Sequence, residues 1–316
     1  MSVCPNIQAT DRRAAWISGA GRRLLLAFLS FVLAIYIVGP IAWVLISSVQ
    51  READLVGESF HLFPERVTLQ NFEAIFDYSA HVAERDARAG LDPASGEFVP
   101  SAAQNLLPSL VNSFQVGAVV ALLNIVFSLF AAYAIAKLHF RGRRTALYTI
   151  LATRVVPDVA LIVPMFLVLR NIGLIDSTTG LVIAYLAVTL PFTIFILINY
   201  IEGLPADLAK AARVDGCNHF QVLCLVMVPI SMPAIVASLM FAFLTSWNEF
   251  VLALILTQTI ASQTLPVIIS GFVFDFTTSF SFINAAGVVA IIPPVVLAVL
   301  FERYIVGGLT AGSVKG

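Results

Sequence analysis

The run Leu24–Ile46 contains no charged side chain. A helix needs about 20 apolar residues to cross a hydrocarbon core, so this run is long enough to span one. Arg12, Arg13, Arg22 and Arg23 precede it. The apolar part of a cleaved signal peptide is shorter, about 7–15 residues, so an uncleaved helix is the expectation. Five more predominantly apolar runs of spanning length follow, at roughly Val111–Ala136, Thr145–Leu169, Leu181–Ile201, Pro233–Leu256 and Phe282–Val306. Within lipid the backbone must satisfy itself, and apolar runs of this length do so as helices. The expected fold class is all-α, a polytopic membrane protein with six transmembrane helices. Composition agrees: 59% of the 316 residues are hydrophobic and only 12% are charged, against about 25% in a typical soluble domain.

Six spans place both termini on one side. Segments 1–23, 137–144, 201–224 and 301–316 hold twelve Lys/Arg, while the opposite side holds five: Arg51, Arg66, Arg85, Arg88 and Arg170. Cytoplasmic flanks carry the excess of cations. The expected location is therefore the bacterial inner membrane, multi-pass, with N- and C-termini in the cytoplasm. The basic run Lys137–Arg144 is read as such a flank and not as a nucleic-acid patch. Cys4, Cys217 and Cys224 then lie on the reducing side, where free thiols are the default. Residues 50–105 form an acidic external loop with ten Asp/Glu against four Arg. Within it 79–104 reads as a solvated insertion, broken by Gly90, Pro93 and Gly96. Two regions result: 1–105 holds the N-terminus, first span and external loop, and 106–316 holds a core of five spans.

Between the fourth and fifth spans lies a polar island, EGLPADLAKAARVDGCNHFQVLCLVMVP, residues 202–229. It reads as two short helices joined by a bend. Pro205 suits a first helical turn, and Asp207 complements the positive helix end. Leu204, Leu208, Ala211 and Ala212 recur at helical spacing and predict one small, apolar face. Gly216 can take the positive φ that ends a helix. Asn218 and Gln221 predict a capping box that starts the second helix.

This island resembles the coupling loop of ABC importer permeases, whose pattern is Glu-Ala-Ala, three residues, Gly, nine residues, then Ile-x-Leu-Pro. Here it reads Lys210-Ala211-Ala212, Gly216, and Val226-Met227-Val228-Pro229 at the same spacing. Lys210 replaces the glutamate, so the docking shape carries over and the ion pair does not. The segments HLFPERVTLQNFEAIF (His61–Phe76), AAYAIAKLHFRGRR (ending at Arg144), SWNEFVLALILT (from Ser246) and the tail GLTAGSVKG are similar to carbohydrate-type, maltose-type permeases. The resemblance implies the type I importer permease fold. It also implies a second permease subunit, an ATPase dimer that carries ATP and Mg, and an extracytoplasmic solute-binding protein. No cofactor is expected in this chain, which is a transport subunit and not an enzyme. Asp207, Lys210, Ala211, Ala212, Arg213, Asp215, Gly216 and Pro229 would form the ATPase-coupling surface, with Lys315 in the tail approaching the same partner. Gly307 and Gly312 share the spacing of P-loop glycines, but Ser313 and Val314 follow where that motif needs Lys and Ser/Thr.

Ionisable groups within spans are costly, on the order of 2.5–3.5 kcal/mol. Arg154 and Asp158 are four apart, so on a helix they would pair on one face. That pair either lines the translocation path or is a self-satisfied structural pair. Asn248 and Glu249 sit inside the fifth span beside Trp247. They could contact a hydroxylated solute, or bond across helices to hold the bundle. The alternative to an importer subunit is a stand-alone secondary transporter or channel, which would need an ion-coupling relay or an inverted repeat. The sequence names no solute beyond a carbohydrate-like one.

Overall fold

The structure, a computed structural model, describes residues 19–56, 66–77, 101–273 and 279–311. Arg12, Arg13, Cys4, most of the 79–104 insertion and Lys315 lie outside the described residues. The chain runs through α1 (Gly19–Ser48), α2 (Glu52–Val56), α3 (Gln70–Phe76) and a 3₁₀ turn, Ser101–Asn105. Then come α4 (Leu106–Lys137), α5 (Arg143–Thr153), α6 (Asp158–Asn171) and α7 (Thr178–Gly203). The polar island forms α8 (Ala206–Val214) and α9 (His219–Ile230). The last elements are α10 (Met232–Trp247), α11 (Val251–Leu256), α12 (Leu265–Gly271) and α13 (Phe280–Ala311).

Among the described residues four helices, α1, α4, α7 and α13, are long and apolar enough to cross a membrane singly. Two bent pairs, α5–α6 at 98° and α9–α10 at 83°, bring the number to six if each pair is one span. Thr145–Leu169 is therefore not the continuous helix the sequence suggests. Pro157 has no amide hydrogen to donate and forces its predecessor out of the helical region, so the helix breaks after Thr153. The run Pro233–Leu256 is also interrupted, at Asn248–Phe250, between α10 and α11.

α4 packs along α7, and α10 lies against both and against α13, which pairs with α1. The approach of α4 to α10 is close at Gly117, where an added Cβ would lie 3.1 Å from the Phe243 ring. Small residues permit such packing where no hydrophobic force separates helix from lipid. Asn124 donates to the Thr189 hydroxyl at 2.7 Å and Thr189 to the Tyr185 carbonyl at 2.7 Å, so α4 and α7 share a buried polar seam. Most of α1 stays exposed, including Leu24, Phe28, Phe31 and Tyr36. Leu265, Val267, Ile268 and Phe272 are buried, and the Leu265 amide donates to Ser113 Oγ at 2.7 Å.

Candidate functional site

α8 and α9 project from one end of the bundle, beside the end of α4 and the start of α5. The entry is made by Leu204, whose amide returns to Ile201, and by Pro205 in an extended conformation. Pro205 is thus the N-cap, one position before the first turn that its type suggests. Asp207 does lie in that first turn. At the far end Gly216 takes φ +91°, its amide donates to Arg213 at 3.1 Å, and the Cys217 amide donates to Ala212 at 3.0 Å. This paired closure is the Schellman motif. Two residues on, Asn218 and Gln221 exchange side chain-to-backbone bonds at 2.8 and 2.9 Å, the predicted capping box.

The inward face differs from the one predicted. Leu204 and Ala212 turn inward with Ala209 and pack on Val222, Leu223, Met227 and Tyr133, whereas Leu208 and Ala211 are exposed. The reason is the second helix: α9 covers only the side of α8 that holds Ala209 and Ala212, a narrower stripe than the i, i+4, i+7, i+8 pattern implies. Ala212 therefore contacts its own subunit. Asp207, Lys210, Ala211, Arg213, Asp215 and Pro229 face outward. Lys210 is paired within α8, its ammonium 3.1 Å from Asp207 Oδ1. Gly216 has nothing within 4 Å of an added Cβ, so backbone conformation and not space explains the glycine within this subunit. Val222–Met227 widen to i→i+5 bonding, with the Val228 amide reaching Leu223, immediately before Pro229, which has no amide hydrogen for an i→i−4 bond.

Side-chain contacts fasten this pair to the bundle. Lys137 Nζ donates to the Leu204 carbonyl at 3.0 Å, the Tyr133 hydroxyl shares a 3.2 Å bond with His219 Nδ1, and the Tyr200 hydroxyl of α7 donates to the Ile230 carbonyl of α9 at 3.2 Å. Beside the entry, Arg143 of α5 bonds Glu202 at the end of α7.

Arg154 and Asp158 are not brought together. The break after Thr153 separates them: Arg154 Nη1 donates to the Val188 carbonyl at 3.1 Å and lies 5.7 Å from the Phe192 ring centroid, while Asp158 opens α6 in its first turn. Asn248 is exposed and donates back to Leu244 at 2.9 Å. Glu249 bonds along its own chain, Oε1 accepting from the Leu252 amide at 2.9 Å and Oε2 from Ala253 at 3.0 Å, so its carboxylate caps α11. The hydroxyl of buried Tyr185 on α7 faces that carboxylate.

A further cluster escaped the sequence reading. Asp176 has φ 58° and accepts from the Gln258 and Thr259 amides at 2.8 and 2.9 Å and from the Ser262 hydroxyl. Its own amide donates to Leu256 at 2.8 Å, so it clasps the α6–α7 turn to the α11–α12 loop. Chiefly the Ser262 hydroxyl, then the Thr259 and Gln258 amides, hold its carboxyl well below the usual carboxylate range. The only local signal was an Asp before a helix-starting Ser, a residue pair that favours turns.

Residues 124–310 match the family described as the binding-protein-dependent transport system inner membrane component. The sulfoquinovosyl glycerol transport system permease protein SmoH of Agrobacterium fabrum is 33% identical over 304 residues, 96% of each chain. The trehalose transport system permease protein SugB of Mycobacterium tuberculosis is 32% identical over 300 residues, 94% of this chain and 100% of its own. A chain from a bacterial ABC transporter involved in import of the acidic polysaccharide alginate shares the fold, with a TM-score of 0.74 at 22% identity, over 91% of this chain and 98% of that one. The chain belongs to the binding-protein-dependent inner membrane component family, and it is a multi-pass permease subunit of an ABC importer.

Proposed function

We propose that this subunit forms half of the translocation path for a sugar or related polyol and receives the ATPase's movement through residues 202–229. The observation that carries the coupling role is the outward row Asp207, Lys210, Ala211, Arg213 and Asp215 on a helix closed at both ends, in a helical pair held to α4 and α7. A short helix so braced moves as a body when pushed. The relatives named for sulfoquinovosyl glycerol and trehalose support the carbohydrate class. Its partners are a second permease subunit, two ATPase subunits carrying ATP and Mg, and an external solute-binding protein. The Lys/Arg distribution supports cytoplasmic termini, with Lys315 beside the ATPase. Asn248, exposed at the break between α10 and α11, and Arg154, at the break between α5 and α6, line the path, since non-helical backbone at membrane depth is tolerated beside a water-filled cavity or within protein. Reconstitution in vesicles with the partner subunits tests the proposal. Uptake that requires both ATP and the binding protein is the expected result. Uptake driven by an ion gradient without them overturns it.

A further inference from the structure

α9 runs straight into α10 in sequence, and a push on α9 has its shortest covalent route there. The geometry weakens that route. The two helices meet at 83°, at Ser231, whose buried hydroxyl has no partner. The side-chain contacts lead to α7 at the far end of α9, where the Tyr200 hydroxyl donates to the Ile230 carbonyl at 3.2 Å, and otherwise to α4. Phe130, Tyr133 and Lys137 recur at i, i+3 and i+7 and so share one face of α4. Phe130 stacks on Phe220 of α9, with ring centroids 6.2 Å apart and planes at 15°. Tyr133 is 5% exposed and is the α4 residue in the buried cluster it shares with α8 and α9. Its hydroxyl holds His219, and its ring meets the imidazole edge-on at 6.3 Å. Lys137, one turn further, holds the Leu204 carbonyl where α7 turns into α8.

We infer that Tyr133 is the positioning residue that ties α4 to the coupling pair, so that α4 moves with α8 and α9 as one body while α10 pivots at Ser231. This rests on the reading that α8 and α9 receive the ATPase's movement. The physical ground is stiffness. A buried aromatic ring held by packing and by a hydrogen bond resists displacement, because interiors are close-packed and have two discrete arrangements more readily than a continuum of them. At the 83° bend the Ser231 hydroxyl makes no hydrogen bond that would brace one helix against the other.

Spin labels on the assembled importer in vesicles test it, with Cys4 and Cys217 replaced by serine. One label sits on the native exposed Cys224 of α9, and the second on Phe127→Cys in α4 or Ala237→Cys in α10, both exposed positions. Distances are read without nucleotide and with Mg-ATP and vanadate. The expected result is an unchanged α9–α4 distance and a shifted α9–α10 distance. With Tyr133→Ala the α9–α4 distance also shifts. His219→Ala, which removes the hydrogen bond and leaves the ring packed, gives a smaller shift in the same direction and serves if Tyr133→Ala does not assemble. An α9–α4 distance that changes in the parent protein, or stays fixed in both variants, overturns the inference while leaving the coupling role intact. No shift in either pair of the parent protein overturns both.

Discussion

The Cys217 amide reaches the Ala212 carbonyl at 3.0 Å across Gly216, and this one bond joins the closure of α8 to the packing of its inner face. Ala212 and Cys217 both lie against the Tyr133 cluster. The turn therefore sets which residues of α8 point outward.

Replacing Gly216 tests whether conformation or space is the constraint. A non-glycine residue in the left-handed region costs about 1–2 kcal/mol, and asparagine less. Because nothing lies within 4 Å of the added Cβ, Gly216→Ala and Gly216→Trp should lower the melting temperature of the purified subunit by similar amounts. Gly216→Asn should lower it least. If Gly216→Trp alone abolishes ATPase binding while the other two bind, the partner crowds this position.

Lys210 lies on an exposed surface, and its pair with Asp207 is worth under about 1 kcal/mol. Lys210→Glu should leave thermal stability within error and reduce binding-protein-stimulated ATP hydrolysis, with Lys210→Ala between the two. Surface attraction is screened by salt, so the difference between the variants should shrink at high ionic strength. Equal hydrolysis in all three proteins would mean that Lys210 has no electrostatic part in coupling.

Glu249 caps α11 through both oxygens. Glu249→Gln retains one acceptor and should cost about 1 kcal/mol, a typical cap loss. Glu249→Ala should cost more, because it leaves two amides unpaired. Thermal unfolding in detergent measures both. The KM of uptake should stay at the parent value in Glu249→Gln, and a large rise would return this carboxylate to the list of solute contacts.

The Asp176 clasp carries a pH signature. Its carboxyl is held below the ordinary carboxylate value, so the stabilisation is complete above that value, about 4, and is lost as pH falls below it through the depressed folded-state value. Hydrogen exchange at the 257–262 loop should be flat from pH 7 to 5 after correction for intrinsic rates. Asp176→Asn tolerates the positive φ but loses the charged acceptor, and should raise exchange in this loop at pH 7. Slow exchange in that variant would show that the clasp does not hold the loop.

The helical character, the span positions and the polar island were legible because each is written in local pattern. Twenty apolar residues in a row, a glycine after an amphipathic stretch, and Asn three residues before Gln each act through neighbours in the chain. Arg154 and Asp158 show the limit. Spacing of four predicts a pair only on an unbroken helix, and Pro157 sits between them. Glu249 shows another: a carboxylate inside an apolar run reads as a site, yet the chain stops being helical at that point and uses it as a cap. Asp176 had no legible partner at all, since Gln258, Thr259 and Ser262 are more than eighty residues away.

The sequence by itself determined that the chain spans a membrane as helices, which family it joins, and that residues 202–229 form a capped helical pair, because length, polarity and capping are local properties. Only the tertiary structure decided which face of α8 is inward, where the third and fifth spans break, and that Tyr133 and Lys137 hold the island to α4. Those depend on which helices come to lie side by side. Within lipid that is settled by close packing and a few polar contacts between distant residues, which no window along the chain contains.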